Sequence, residues 1–419
     1  MGHAATTAAD AAASTRSRPR RAAHVGIALA ITLLLALTVG TRAPAPVRAA
    51  VSVGDGQRGI NIHTMMSQAV TIYDHPTVAG TGEPQSSYDF LAAAGHKLIR
   101  LPISWDFLQP NLDTGNRTFH TAYWNAIKAE VAKIRIAGMK TVLDLHNGCE
   151  WTKPKTSNPP LICGAGLTVT DATDVWRKLS TEFANDASVL AYDLFNEPIA
   201  FNHPTRPEVQ YPGNQPYSTY KTFINAVVAA IRANNDAKKI WVESLCCHWS
   251  MDLWDTDPNG GWVVDPLNKI VYSLHMYPVR DSSNGETYNP AKESATYEVP
   301  AGSFWADRGY NTGFLGRLDR FGSWCYNHGL KCSIGEVGWY TDDQNPTSNA
   351  QWNALGDTWY NKADYYGLDV TYFGASSAFH GPLWAYDAPG ADVWFPAAGI
   401  SRKRTQSSVI ELSNHLSRP

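Results

Sequence analysis

The chain of 419 residues has no Ser/Thr/Pro-rich linker, no internal repeat and no segment that reads as an accessory module, so neither a tandem array nor a string of small domains is expected. Its N-terminal apolar run, Val25 to Gly40, is about sixteen residues long, short of the roughly twenty that a membrane-spanning helix needs. A basic surplus is missing as well. Residues 1–50 hold six arginines and one aspartate, which leaves 29 basic and 37 acidic side chains in the remainder, a net charge of −8. Such a domain is a poor nucleic-acid binder, and no nucleic-acid partner is expected, whereas a neutral polymer is not repelled by that charge. No tryptophan occurs before residue 100; all fifteen follow it.

The first fifty residues read as a separate segment. Arg16, Arg18, Arg20 and Arg21 precede the apolar run, Ala- and Pro-rich residues 41–50 follow it, and Val47-Arg48-Ala49 offers a small-residue cleavage site. Residues 1–50 are therefore expected to be a signal peptide, or an uncleaved membrane anchor with a short linker, and the remainder to be secreted or to face outward. Contact with a membrane is expected only if the segment stays. Arg20-Arg21 lacks the apolar follower of a twin-arginine signal. Six cysteines agree with export. Cys149 and Cys163 bracket a Pro-rich loop and could be bridged, and Cys325 and Cys332 could tie a helix end to the strand after it. Cys246 and Cys247 could form a vicinal bridge or stay reduced.

Two glutamates each end an apolar run: Leu194-Phe195-Asn196-Glu197-Pro198 and Ser333-Ile334-Gly335-Glu336-Val337-Gly338. Pro198 and Gly338 force a turn after each, so both carboxyls should project above the end of a sheet. Paired carboxylates facing one gap are the working parts of glycosidic bond hydrolysis. The surrounding rhythm fits a parallel sheet with helical crossovers. Strands are expected at Gly59–Ile62, Lys97–Pro102, Lys140–Leu145, Val189–Phe195, Lys239–Glu243, Lys269–His275, Lys331–Glu336 and Leu368–Phe373. Eight such runs suggest an α/β fold closed as a (β/α)8 TIM barrel, with chemistry gathered at the carboxyl ends of the strands. Asp171 is the expected cap of an amphipathic helix carrying Val175, Trp176, Leu179 and Phe183, and Gly138 the close of the helix before strand three.

At those strand ends stand Arg100 on strand two, Leu145-His146-Asn147 on strand three, Asn196-Glu197-Pro198 on strand four, His275-Met276-Tyr277 on strand six and Gly335-Glu336 on strand seven. This ordered series resembles the cellulase-like glycoside hydrolases of family 5, in the larger clan of retaining (β/α)8 glycosidases. The resemblance runs from about Gly59 to the region of Trp384 and marks residues 51–419 as one catalytic domain. It implies Glu336 as nucleophile and Glu197 as general acid/base, with Arg100, His146, Asn196, His275 and Tyr277 around the sugar. A nucleophilic carboxylate must be ionised, which Arg100 or Tyr277 would favour. Glu197 must carry a proton in the first step, which calls for burial and the Glu336 charge to raise its pKa. Asn196 suits a bond to the sugar 2-hydroxyl.

One position departs from the pattern. On strand eight, Phe373 stands where the family has an aromatic floor for the sugar, usually tryptophan, and Trp384 follows in the next loop. Either could serve, which leaves the sugar open. Trp151, Trp249, Trp254, Trp262, Trp339 and Trp394 fall in expected loops above the barrel, where two to four tryptophans should touch substrate. Trp124, Trp176 and Trp359 read as packing residues. His146 and His275 invite a metal, but the first strand offers only His63 where metal-holding barrels usually show two closely spaced histidines, so no metal and no cofactor are expected. The loop from Ser282 to Arg308 should shape one wall of the cleft. The expected function is a secreted, monomeric retaining β-glycosidase acting on a polysaccharide or oligosaccharide, most simply an endo-β-1,4-glucanase. Mannan, β-1,3-glucan or a short glycoside are alternatives, as is an inactive carbohydrate-binding surface protein.

Overall fold

The computed structural model describes residues 52–74, 82–204, 213–245, 252–278, 313–339, 346–376, 386–387 and 415. Residues 1–50, Cys246, Cys247, Trp249, the 282–308 loop, Trp384 and Trp394 lie outside them. Eight parallel strands form the centre: β1 (Arg58–Ile62), β2 (Leu98–Ile103), β3 (Lys140–Leu145), β4 (Val189–Asp193), β5 (Lys239–Glu243), β6 (Ile270–Met276), β7 (Lys331–Val337) and β8 (Asp369–Ser376). Each pairs with the next, and β1 pairs with β8, so the sheet closes into a (β/α)8 barrel. Closure leaves no open edge and places both faces of every strand against packing, which is why these strands read as apolar runs in the sequence.

Helices cover the outside: α1 (Gln85–Ala93), α2 (Thr121–Ile136), α3 (Val169–Phe183), α4 (Tyr217–Ala233), α5 (Phe314–Asn327) and α6 (Pro346–Tyr366). On α3 the fully or nearly buried Val175, Trp176, Leu179 and Phe183 recur at three- and four-residue spacing against the barrel, each burial favouring the fold by about 1.5–3 kcal/mol. The cap of α3 is Thr168 rather than Asp171. Its side chain accepts from the Asp171 backbone, and Asp171 reaches back to the Thr168 backbone, so the expected cap is the third-residue member of a capping box. Between β5 and β6 the only described helix is the four-residue Leu253–Thr256. Asp257-Pro258-Asn259-Gly260-Gly261 follows, a run of turn formers that does not sustain a crossover helix.

Inside the barrel, Leu98, Val142, Ala191, Trp241 and Val271 from β2 to β6 pack as a buried apolar cluster. Side chains alternate across a strand, so the residue two places on points to the same side. Those residues are Arg100, Asp144, Asp193, Glu243 and Ser273, all buried. An apolar floor thus carries a charged layer directly above it. Trp151 and Trp339, two of the tryptophans expected in loops above the barrel, are buried; their indole N–H groups donate to the Gln109 carbonyl and to Asn353 Oδ1. Trp254 and Trp262 are half-buried against the core, as is Trp124, while Trp176 and Trp359 are fully packed.

Cys149 is bonded to Cys163, and Cys325, in the last turn of α5, to Cys332 on β7. The first bridge closes a loop of 14 residues that also contributes the short antiparallel pair Glu150–Trp151 with Leu161–Cys163. A loop of this size is worth about 3 kcal/mol in restricted unfolded-state freedom. The double substitution Cys149→Ser/Cys163→Ser should therefore lower the unfolding free energy by about that amount in guanidinium titrations. An unchanged midpoint would show that the bridge contributes nothing to stability.

Candidate active site

Arg100, the third residue of β2, is fully buried and has a partner on every side. Its Nε donates to Asp193 at 2.9 Å, one terminal nitrogen to Asn61 at 3.0 Å and Glu336 at 2.9 Å, and the other to Asn196 and Glu243, both at 2.8 Å, with Asp144 at 3.1 Å. A guanidinium presents five donors in a fixed fork, and here six strands or strand ends converge on it. Five of these partners, all but Glu336, hold the layer together. The other oxygen of Glu336 accepts from the Tyr277 hydroxyl at 2.6 Å.

The placement of Glu336 has a local cause. Pairing of β6 with β7 slips by one residue between Leu274 and His275, so that His275 faces Glu336 instead of Gly335. A bulge of this kind re-aims a side chain next to a site. Gly335 must be glycine there, since a Cβ would lie 2.9 Å from both His275 Nε2 and Ser273 Oγ. Glu336 stays on the strand, one residue before its end. Glu197 does not: β4 ends at Asp193, and Leu194, Phe195 and Asn196 carry the chain upward, with the Asn196 N–H on the Leu145 carbonyl at 3.1 Å. Glu197 itself has φ of +48°, a left-handed conformation that costs a non-glycine residue roughly 1–2 kcal/mol.

Between the two glutamates stands His275. Its Nδ1 is 2.9 Å from Glu197 Oε1 and 3.5 Å from Glu336 Oε2, and its Nε2 is 2.9 Å from Glu243 Oε1. One atom each of Glu197, His275 and Glu336 lie within 4.8 Å of one another. A metal ion could bridge that spacing, yet both ring nitrogens already face carboxylates, the arrangement of a protonated ring. Burial opposes charge on His275, but Glu243, Glu336 and the bond to Glu197 outweigh it and hold the ring well above its ordinary pKa. For Glu197, burial alone would raise the carboxyl as expected from sequence; the hydrogen bond and charge of His275 overcome burial and hold it below its usual range. The ring and the carboxyl thus favour each other's charged forms.

His146 stands at the end of β3. Burial works against its charge, but Asp144, 2.7 Å from Nδ1, outweighs burial and raises the ring above its ordinary value. Its Nε2 meets Nε2 of His63 at 3.2 Å. Burial, then the His146 and Arg100 charges, push His63 down to about 3, which makes it the neutral acceptor of that bond. Phe373, on β8, stands edge-on to His63 at 5.9 Å and to Tyr277 at 6.3 Å. Arg100, His146, Asn196, Glu197, His275, Tyr277, Glu336 and Phe373 are thus brought to one place. Sequence reasoning passed over Asn61, His63 as a site residue, Asp144, Asp193 and Glu243. Glu243 shares part of the signal of Glu197 and Glu336: it ends the apolar run Ile240-Trp241-Val242, but neither Pro nor Gly stands in the next two places.

A parallel barrel with a carboxylate pair and a buried guanidinium at the carboxyl ends of its strands has the form of a glycosidase. Residues 57–378 match the model of the cellulase family, glycosyl hydrolase family 5, and the chain belongs to that family. A manganese-dependent endoglucanase of Phanerodontia chrysosporium is 25% identical over 219 residues, 51% of this chain and 50% of that protein. An endoglucanase of Neurospora crassa is 26% identical over 233 residues, 54% and 52% of the two chains. The chain spans about half the length of these curated relatives. Among solved structures, an endo-beta-1,4-glucanase from Xanthomonas axonopodis pv. citri superposes with a TM-score of 0.57 at 18% identity, over 86% of this chain and 98% of that one. The Pseudomonas stutzeri endoglucanase in complex with cellobiose gives 0.58 at 19% identity, over 86% and 92%. At these identities the likeness establishes the fold.

Asp193 provides a test of the charged layer. Burial, and then the Glu243 carboxylate, push it up to about 7 against the pull of Arg100. The folded-state value lies above the unfolded one, near 3.9, so folding takes up a proton between about pH 4 and about pH 7. Stability from this group falls as pH rises through that window, by at most about 1.4 kcal/mol per pH unit. Asp193→Asn removes the contribution, so urea unfolding at a series of pH values should show the variant gaining on the parent as pH rises. A difference that is flat with pH would place the Asp193 carboxyl in the ordinary range.

Proposed function

We propose that the chain is a secreted, retaining β-glycosidase, most simply an endo-β-1,4-glucanase, in which Glu336 is the nucleophile and Glu197 the general acid/base. The observation that supports it best is the spacing: oxygens of Glu197 and Glu336 lie within 4.8 Å of each other. Retaining enzymes hold their carboxyl groups about 5–5.5 Å apart, whereas inverting ones leave about 6.5–9.5 Å for a water. Glu336 is the buried member, oriented by Arg100 on one oxygen and Tyr277 on the other. Glu197 is the more open one, with 28% of its side chain exposed against 5% for Glu336. A nucleophile needs orientation, and an acid/base needs access to the leaving group and then to water.

In this reading Glu336 attacks the anomeric carbon while the Glu197–His275 pair delivers a proton to the departing oxygen. The glycosyl-enzyme then removes the Glu336 charge, and Glu197 accepts a proton from the incoming water. Asn196 Oδ1 is taken by Arg100, so its amide nitrogen is the group that faces the sugar 2-hydroxyl. Phe373 and the neighbouring His63 form the floor. Phe373 offers less surface than the expected tryptophan, which keeps mannan and substituted glucans as the second reading; related names include a beta-mannanase/endoglucanase from Caldicellulosiruptor saccharolyticus and a family 5 xyloglucanase from Paenibacillus pabuli. Export is supported by residues 1–50 as a leader or anchor ahead of a domain from residue 51, and by the two disulfides. Among the described residues no helix is long and apolar enough to cross a membrane.

Early products followed by proton NMR should keep the β configuration, and α product at early times would remove the double-displacement mechanism. Glu336→Ala should abolish activity on every substrate. Glu197→Ala should cost natural linkages about 10²- to 10⁴-fold while sparing activated dinitrophenyl glycosides in the first step, and azide should restore turnover with formation of a β-glycosyl azide. Equal losses on all leaving groups with no azide effect would mean that Glu197 is not the acid/base.

A further inference from the structure

Glu243 ends β5 beside the Glu197 turn, and its two oxygens serve three donors. Oε1 accepts from Arg100 at 2.8 Å and lies 2.9 Å from His275 Nε2, while Oε2 accepts from the Glu197 backbone N–H at 2.7 Å. The last two contacts, an ion pair to His275 and a hydrogen bond from the Glu197 N–H, converge on Glu197. The first sets the His275 ring so that Nδ1 meets the Glu197 carboxyl at 2.9 Å. The second grips the peptide from which that carboxyl springs, the peptide held at φ +48°. A left-handed glutamate persists only where its surroundings over-determine it, and a bond from N–H to a buried carboxylate is among the stronger ones available. Neither neighbouring carboxylate does the same work, since Asp144 is turned to His146 and Asp193 to Arg100 Nε.

We propose that Glu243 is a positioning residue for the reaction: by accepting the Glu197 N–H on one oxygen and pairing with His275 Nε2 on the other, it aims the Glu197 carboxyl at the departing oxygen. The proposal rests on the reading of Glu197 as acid/base. Glu243 itself meets no substrate and acts through the Glu197 peptide and the His275 ring.

The test is kcat/KM for a series of aryl β-cellobiosides of rising leaving-group pKa, measured on the parent, Glu243→Gln, Glu243→Asp and Glu197→Ala. Gln keeps the shape but turns its NH2 either toward Arg100 and His275, which share Oε1, or toward the Glu197 N–H on Oε2. Asp keeps the charge that Arg100 needs in the buried layer, so it preserves the fold if Gln does not, yet is too short to span both bonds. Misaiming the acid should cost phenyl cellobioside on the order of 10²-fold, the lower end of what general acid catalysis supplies. The dinitrophenyl compound should stay within about threefold, and KM for cello-oligosaccharides should hold while kcat falls. Equal loss across the series in Glu243→Asp, with Glu197→Ala still selective, would overturn the positioning role alone. Equal loss in Glu197→Ala would overturn the acid/base reading beneath it.

Discussion

The buried guanidinium of Arg100 is the constraint on which the rest of the site depends. A permanent charge taken wholly out of water is tolerable only if its donors are satisfied and its charge is met nearby. Asn61, Asp144, Asp193, Asn196, Glu243 and Glu336 do this from β1, β3, β4, β5 and β7, so the barrel wall is tied to one point in its upper layer. Removing any one acid takes an acceptor from the guanidinium, and removing Arg100 leaves four carboxyls facing each other in a dry interior. Because arginine does not titrate, every adjustment of charge falls on its neighbours. Burial and the Glu243 charge raise Asp193, and the carboxylates beside His275 and His146 draw those rings toward their charged forms.

The two glutamates of the pair differ because the chain reaches them differently. Glu336 is carried on a strand and re-aimed by a bulge, which suits a group that must not move. Glu197 is carried on an irregular turn above β4, where a strained peptide is held by a neighbour's side chain. Rigidity for one and a steered, more open position for the other follow from backbone geometry before any titration is considered. The apolar cluster around Trp241 beneath them has the complementary task of closing the barrel to water from below.

Much of this was legible in the sequence because parallel barrel strands are buried on both faces and stand out as apolar runs. Lys140–Leu145 and Lys239–Glu243 were read with their observed bounds, and most other ends differ by a residue or two. What could not be read depends on contacts across the barrel. Asp144 and Asp193 look like polar flaws inside apolar runs until closure shows them facing one guanidinium. Trp151 and Trp339 carry nothing local that separates a sugar platform from a packing residue; their partners, Gln109 and Asn353, lie 42 and 14 positions away. Glu243 was within reach, since it too ends a run, but the signal chosen also demanded a turn-forming residue next to it. Asp171 was half right for the opposite reason: a capping box has two members three residues apart, and either alone resembles the cap.

At Gly148 the loop after β3 passes so close to the turn after β4 that a Cβ would stand 2.9 Å from the Glu197 carbonyl. The next residue, Cys149, is bonded to Cys163. The backbone bearing Glu197 therefore leans on a stretch anchored at its far end by sulfur, and the two loops make a single inheritable block. Swapping one of them for the equivalent from a relative would import a contour cut for a different neighbour. A chimera that keeps its chemistry has to exchange both loops together, glycine and cysteines included, while β5 below them supplies the common seat.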